Sequence, residues 1–157
     1  MIVFSISALE KAPVRKSGVL PKEFLDLATD DAYAAAAEVE YDLTATLVSG
    51  GVLVSGTVST QVSSQCGRCL KDIIVPIGNQ DLQLFFEIAE NQELLEVDEE
   101  LRSELLLELP MNPLCDDDCP GLCPVCGADL GSKKCSCTVE DTSAKVSPWS
   151  ALDDLDL

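Results

Sequence analysis

The sequence contains no histidine, few bases, no long apolar run and no exported leader pattern. Without histidine in its 157 residues, the common Ser-His and Cys-His catalytic arrangements are excluded. Ten Lys and Arg stand against 28 Asp and Glu, a formal net charge of −18. That balance excludes a large electrostatic footprint on nucleic acid, because phosphate contacts need clustered bases. It excludes docking on anionic lipid for the same reason. No stretch is long and apolar enough to span a bilayer. The first residues, MIVFSISALEK, lack a basic n-region and a small-residue cleavage pattern, so a cytoplasmic protein with no membrane partner is expected.

What is present is a hydrophobic fraction of 46%, enough for a real core, and eight cysteines. The acidity is local. Residues 81–130 hold fourteen acids and one base, whereas residues 1–80 hold nine acids and six bases. A strongly acidic segment is either a solvated face or a binding face for something basic.

Period-two alternation is clearest at Val39, Tyr41, Leu43, Ala45 and Leu47, and again at Val52, Val54, Gly56, Val58, Thr60 and Val62. Ser49-Gly50-Gly51 lies between as a turn, so an antiparallel hairpin is predicted. Further strands are expected over residues 2–8, 70–77 and 82–88, with a short basic loop around Lys11, Arg15 and Lys16. A short helix is expected over residues 21–28, opened by Pro21. Residues 89–97 read as an acidic loop. Asp98 then caps a helix over residues 99–109, with Leu101, Leu105, Leu106 and Leu109 on one stripe. The fold class is α+β: an antiparallel β-rich domain with one or two helices over residues 1–113, a Cys-rich zinc-binding segment over 114–140, and an acidic tail over 141–157 with a short helix around Trp149, Leu152 and Leu155.

The cysteines form four close pairs: Cys66/Cys69, Cys115/Cys119, Cys123/Cys126 and Cys135/Cys137. A reducing compartment makes these metal ligands before disulfides. Zn²⁺ takes four thiolates in a tetrahedron, and a turn between two close cysteines supplies two of them. In Cys123-Pro124-Val125-Cys126-Gly127, the proline shapes the turn and the glycine lets backbone N–H groups point at sulfur. The spacing pairs Cys123/Cys126 with Cys135/Cys137 in a compact knuckle. It pairs Cys66/Cys69 with Cys115/Cys119 in a long-range site joining the C-terminal segment to the sheet. Other pairings stay open, since Cys119 and Cys123 are close in sequence. Two Zn²⁺ are expected. They would deepen the acidity, because eight thiolates outweigh two divalent cations. Arg68, Lys71, Lys133 and Lys134 flank the cysteine pairs and would offset this locally.

These motifs resemble the YceD family. The resemblance rests on Cys66-Gly67-Arg68-Cys69-Leu70, Leu109-Pro110-Met111-Asn112-Pro113-Leu114-Cys115, Asp118-Cys119-Pro120-Gly121-Leu122-Cys123-Pro124-Val125-Cys126-Gly127-Ala128-Asp129-Leu130, Cys135-Ser136-Cys137 and Pro148-Trp149-Ser150-Ala151-Leu152, in that order along nearly the whole chain. It implies a bacterial or plastid protein that supports accumulation of large-subunit (23S) ribosomal RNA and ribosome biogenesis. It implies no enzymatic activity. The implied partner is a basic ribosomal protein or a large-subunit assembly intermediate.

Composition adds that contact with RNA is indirect, or confined to Lys11, Arg15, Lys16, Lys22, Arg68 and Lys71. A different class of function, a small acidic iron–sulfur or rubredoxin-like electron carrier, fits the same thiolates. A nucleic-acid mimic built on residues 87–118 would leave the cysteine tetrads without a purpose. A hydrolase fits poorly, because catalytic zinc keeps an open position that four paired cysteine sets would close.

Overall fold

The hairpin at the centre of the chain organises everything else. A computed structural model describes residues 1–27, 32–89, 91–133 and 135–137. In it β4 (Val39–Val48) turns through Gly50 into β5 (Gly51–Gln65), antiparallel, with Val48 opposite Gly51 and Glu40 opposite Ser59. The predicted alternation is the one that buries. Val39, Leu43, Ala45, Val52, Val54, Val58 and Val62 are all at most 1% exposed, while Tyr41 is half-buried and Leu47 faces solvent. Thr60 also points inward, and its hydroxyl donates to the carbonyls of Ala37 and Glu38, so the buried polar group is satisfied. At Gly56, with φ of +154°, a Cβ would fall 2.0 Å from the carbonyl oxygen of Asp42, so only glycine fits.

Strand β6 (Asp72–Glu87) covers the other flank of β5 along its whole length, antiparallel, from Gln65 opposite Asp72 to Gly51 opposite Glu87. The sequence pattern had suggested two strands here, over 70–77 and 82–88. They are one strand with a register shift between Gly56 and Val58 of β5. Two β6 residues oppose one on β5, so the inward parity moves from Ile73, Val75 and Ile77 to Leu82, Leu84 and Phe86. The periodicity breaks while the strand continues.

Three strands lie where the pattern predicts none. Arg15 and Lys16 of the expected basic loop lie in β2 (Val14–Leu20), which pairs with β4, and Arg15 there forms an ion pair with Asp42 across the strands. The short β3 (Tyr33–Ala35) pairs with the far end of β5, on the flank that β4 has left. A smaller two-stranded sheet closes one end of the core. It joins β1 (Val3–Ser5) to β7 (Leu94–Glu96), so the expected acidic loop over 89–97 contains a strand. The expected first strand over 2–8 ends at Ser5, and Ile6–Leu9 turns into one helical turn, α1. The helix expected over 21–28 is a 3₁₀ turn, Lys22–Leu25, stopped by Asp26 in a left-handed conformation.

Helix α2 (Asp98–Leu107) lays Leu101 and Leu105 on the core against β6 and the 3₁₀ turn. Asp98 is its first residue, not its cap. Its carboxylate accepts instead from the backbone N–H of Ile2 at 2.6 Å and lies 3.5 Å from the amino terminus. That carboxylate therefore ties the start of the chain to the helix. The tail helix predicted around Trp149 lies outside the described residues. No helix among the described residues is long and apolar enough to cross a membrane.

The burial contrast along α2 gives a direct check. Leu101→Ala should lose about 2–5 kcal/mol in urea unfolding of the full chain, from lost transfer energy plus the cavity left behind. Leu107→Ala, 77% exposed, should stay within about 0.5 kcal/mol of the parent.

Candidate metal centre

The turn between β5 and β6 carries the first cysteine pair, and the segment after α2 carries the rest. The structure brings Cys66, Cys69, Cys115 and Cys119 together in one cluster, and Cys123, Cys126, Cys135 and Cys137 in another. Within each, all four Sγ atoms lie within 4.8 Å of one another. The partition expected from spacing is the one observed, with no exchange between Cys119 and Cys123. All eight cysteines are free thiols.

The donor set suits a soft divalent ion. A tetrahedral Zn–S₄ centre with bonds of about 2.3 Å has S···S edges of about 3.8 Å. In the first cluster the Cys69 and Cys115 sulfurs are 3.7 Å apart, and those of Cys66 and Cys119 are 3.9 Å apart. Cys66, Cys69 and Cys119 are buried, packed with Ile73, Leu114 and Leu122 in a small apolar cluster of their own. In the second cluster Cys123 is buried, Cys126 is exposed, and Cys135 and Cys137 are intermediate.

The proton affinities within each cluster are spread apart. Cys66 is drawn down to about 6, chiefly by the backbone N–H of Cys69, with those of Arg68 and Cys115 adding to it against burial. Cys123 is likewise drawn down to about 6 by the N–H groups of Cys126 and Val125. These are the inward-pointing amides expected of a cysteine knuckle. Cys115 is pushed up to about 12 by sharing hydrogen bonds with Cys119 and Cys69. Cys137 is pushed up to about 12 by Cys126. The Lys71 N–H favours the Cys69 thiolate, but burial and the neighbouring sulfurs outweigh it and raise Cys69. Four thiolates this close cannot all ionise against one another. A divalent cation among them removes that conflict.

Both Cys-x-x-Cys turns are built alike. The N–H of Leu70 donates to the Cys66 carbonyl at 2.9 Å, and that of Gly127 to the Cys123 carbonyl at 2.8 Å. The N–H of Cys66 donates to Lys71, and that of Cys123 to Ala128, each at 2.8 Å. In each turn the residue after the second cysteine is left-handed: Leu70 at φ +60° and Gly127 at φ +70°. Glycine is free there, whereas a leucine is strained by about 1–2 kcal/mol. The sequence carries the signal, because aligning residue 70 with residue 127 puts leucine where its sister turn has glycine.

The two clusters also lean on each other. The N–H of Leu122 donates to the Arg68 carbonyl at 3.1 Å, and Lys71 Nζ lies 2.7 Å from the Asp129 carboxylate. That pair raises Lys71 and lowers Asp129, each mainly through their mutual hydrogen bond. Lys71 is 55% exposed, so water screens the attraction, which orients the two turns more than it stabilises them. Arg68 turns its guanidinium toward backbone, donating to the carbonyls of Asp117 and Cys119 at 2.9 and 3.0 Å. Of the bases expected to offset the thiolates, Arg68 thus ties the two cysteine segments of the first cluster together, and Lys71 links that cluster to the second. Lys133 is exposed, and Lys134 lies outside the described residues. The last knuckle is joined to the first cluster by these contacts. The chain before the first cluster is held too, since the N–H of Gly67 donates to the Pro113 carbonyl at 2.8 Å and the Tyr33 hydroxyl donates to that of Pro110.

A family model described as "Large ribosomal RNA subunit accumulation protein YceD" matches residues 80–156. An uncharacterised protein of Mycobacterium tuberculosis is 33% identical over a region covering 60% of this chain and 53% of that protein. An uncharacterised protein of Mycobacterium leprae is 31% identical, over 60% of this chain and 50% of that protein. A chloroplastic protein of Arabidopsis thaliana, described as a large ribosomal RNA subunit accumulation protein YCED homolog, is 32% identical over 34% of this chain and 17% of its own length. The chain spans about half the length of the mycobacterial relatives it matches. No solved structure matches it.

The sister turns predict opposite responses to reciprocal changes. Gly127→Ala should cost about 1 kcal/mol, because it places a Cβ in a left-handed position. Leu70→Gly should not destabilise and should raise stability by up to about 1 kcal/mol, the relief of strain being partly offset by the freer unfolded chain. Thermal unfolding of the metal-loaded chain checks both.

Proposed function

We propose, from the YceD family match over residues 80–156, that the chain is a member of that family and a non-enzymatic factor in the accumulation of large-subunit ribosomal RNA. It acts through an acidic surface that binds a basic ribosomal protein or a basic assembly partner. The observation that carries the reading is the coincidence, in residues 81–130, of the family match, fourteen acids against one base, and the cysteines that shape the surface. Opposite charge speeds encounter with a basic partner and suppresses wrong ones.

Contact with RNA is indirect on this reading. Of the six bases in the first 80 residues, Arg15 is paired with Asp42, Lys71 with Asp129, and Arg68 is turned to backbone carbonyls. Both clusters hold Zn²⁺ in this proposal, with Cys66, Cys69, Cys115 and Cys119 at one centre and Cys123, Cys126, Cys135 and Cys137 at the other. Their role is structural, because four thiolates leave no open position for a substrate. A cytoplasmic, reducing setting keeps those thiols available.

Immobilised full-length protein should retain a basic protein from purified large-subunit ribosomal proteins, with affinity falling as salt rises. Retention of naked ribosomal RNA and no basic protein defeats the proposal. Native mass spectrometry should give two Zn²⁺ per chain in a colourless preparation. The same S₄ geometry accepts iron, so visible absorbance with bound iron would favour an electron carrier instead.

Loading the metal-free protein with zinc at pH 7 should release about two protons or more per ion. Cys69 and Cys115 in one cluster, and Cys135 and Cys137 in the other, are raised and hold theirs until the cation arrives. Titration calorimetry in two buffers of different ionisation enthalpy measures that number. Metal-bound thiolates have folded proton affinities below those of the unfolded chain. The stability they contribute is therefore full above the ordinary thiol range and is lost as pH falls.

A further inference from the structure

The leucine at position 70 is unfavourable twice over. It holds a left-handed backbone, φ +60°, where the sister turn has Gly127, and it leaves 58% of its surface in water. Packing does not account for it, because the apolar residues around the first cluster are Ile73, Leu114 and Leu122. A strained residue that contributes little to the fold marks a position held for something outside it.

The surroundings indicate what that is. Leu70 follows Cys69, whose sulfur is 3.7 Å from that of Cys115. Asp116, Asp117 and Asp118 come next after Cys115, and all three are exposed. The two bases nearest in the turn are already engaged, Arg68 with the carbonyls of Asp117 and Cys119 and Lys71 with Asp129. An exposed apolar side chain therefore adjoins the same cysteine cluster as three exposed carboxylates that form no ion pair among the described residues, Asp116 accepting only from the backbone N–H of Asp118.

We infer that Leu70 is an apolar anchor for a lysine- and arginine-rich protein segment, with Asp116–Asp118 as the charged rim around it. This rests on the reading of the chain as a binder of a basic protein, and it locates that contact. A polynucleotide does not fit, because its phosphates would meet the aspartates. The cysteine cluster supplies the rigidity, since a turn fixed at both ends presents its side chain with little ordering cost on binding.

The test uses the zinc-loaded full chain against proteins stripped from purified large ribosomal subunits. Leu70→Gly and Leu70→Asn both tolerate the left-handed backbone, so both should keep their metal count and melt no lower than the parent. Both should weaken capture of the basic protein at least tenfold. Val19→Ser removes an equally exposed apolar side chain, 56%, from the opposite edge strand β2 and should bind within twofold of the parent. If the parent binds and the Leu70 variants bind less than tenfold more weakly, the anchor is wrong and the basic-partner reading stands. If the parent itself retains no basic protein, both fall.

Discussion

Four sulfurs held within 4.8 Å of one another set the terms for this molecule. Backbone N–H groups draw one thiol in each cluster down to about 6, and the neighbouring sulfurs push another up to about 12. With a divalent ion all four can ionise, and the repulsion becomes a bond network. After α2 the described residues have one isolated β-bridge and no helix or strand, and the chain folds back on the sheet through the two cysteine turns.

The β domain supplies the platform. Strands β5 and β6 are long and paired throughout, and their connection is the first Cys-x-x-Cys turn. The sheet thereby fixes Cys66 and Cys69, and the end of α2 delivers Cys115 and Cys119 to them past Tyr33 and Pro113. The second cluster is held by the first, through Arg68, Lys71 and Asp129. Order therefore passes from hydrophobic core to first cluster to second. The fourteen acids of residues 81–130 lie on segments carried by that frame.

Much of this was legible from residue order because the governing signals are local. Alternation from Val39 to Val62 gave the hairpin, the leucine stripe gave α2, and the four cysteine spacings gave both clusters. The errors occurred where a local signal is interrupted or too short to register. The bulge in β6 reverses parity, and one strand looked like two. Strands β1, β3 and β7 are three residues each, below the length at which periodicity can be counted. Asp98 has the look of a cap, but the amide of Ile2, far away in sequence, claims its carboxylate.

The sequence by itself determined which side chains could be ligands and that they come in four close pairs, because thiols one to three residues apart share one turn. It determined the acidity and its concentration in residues 81–130, which are properties of composition. Only the tertiary structure decided that the two cysteine turns are sisters docked on each other, and that Leu70 stands in the left-handed place its counterpart gives to glycine. Backbone handedness and contacts between distant segments are set by closure of the whole fold. No window of residues around position 70 contains Asp129, or the aspartates that follow Cys115.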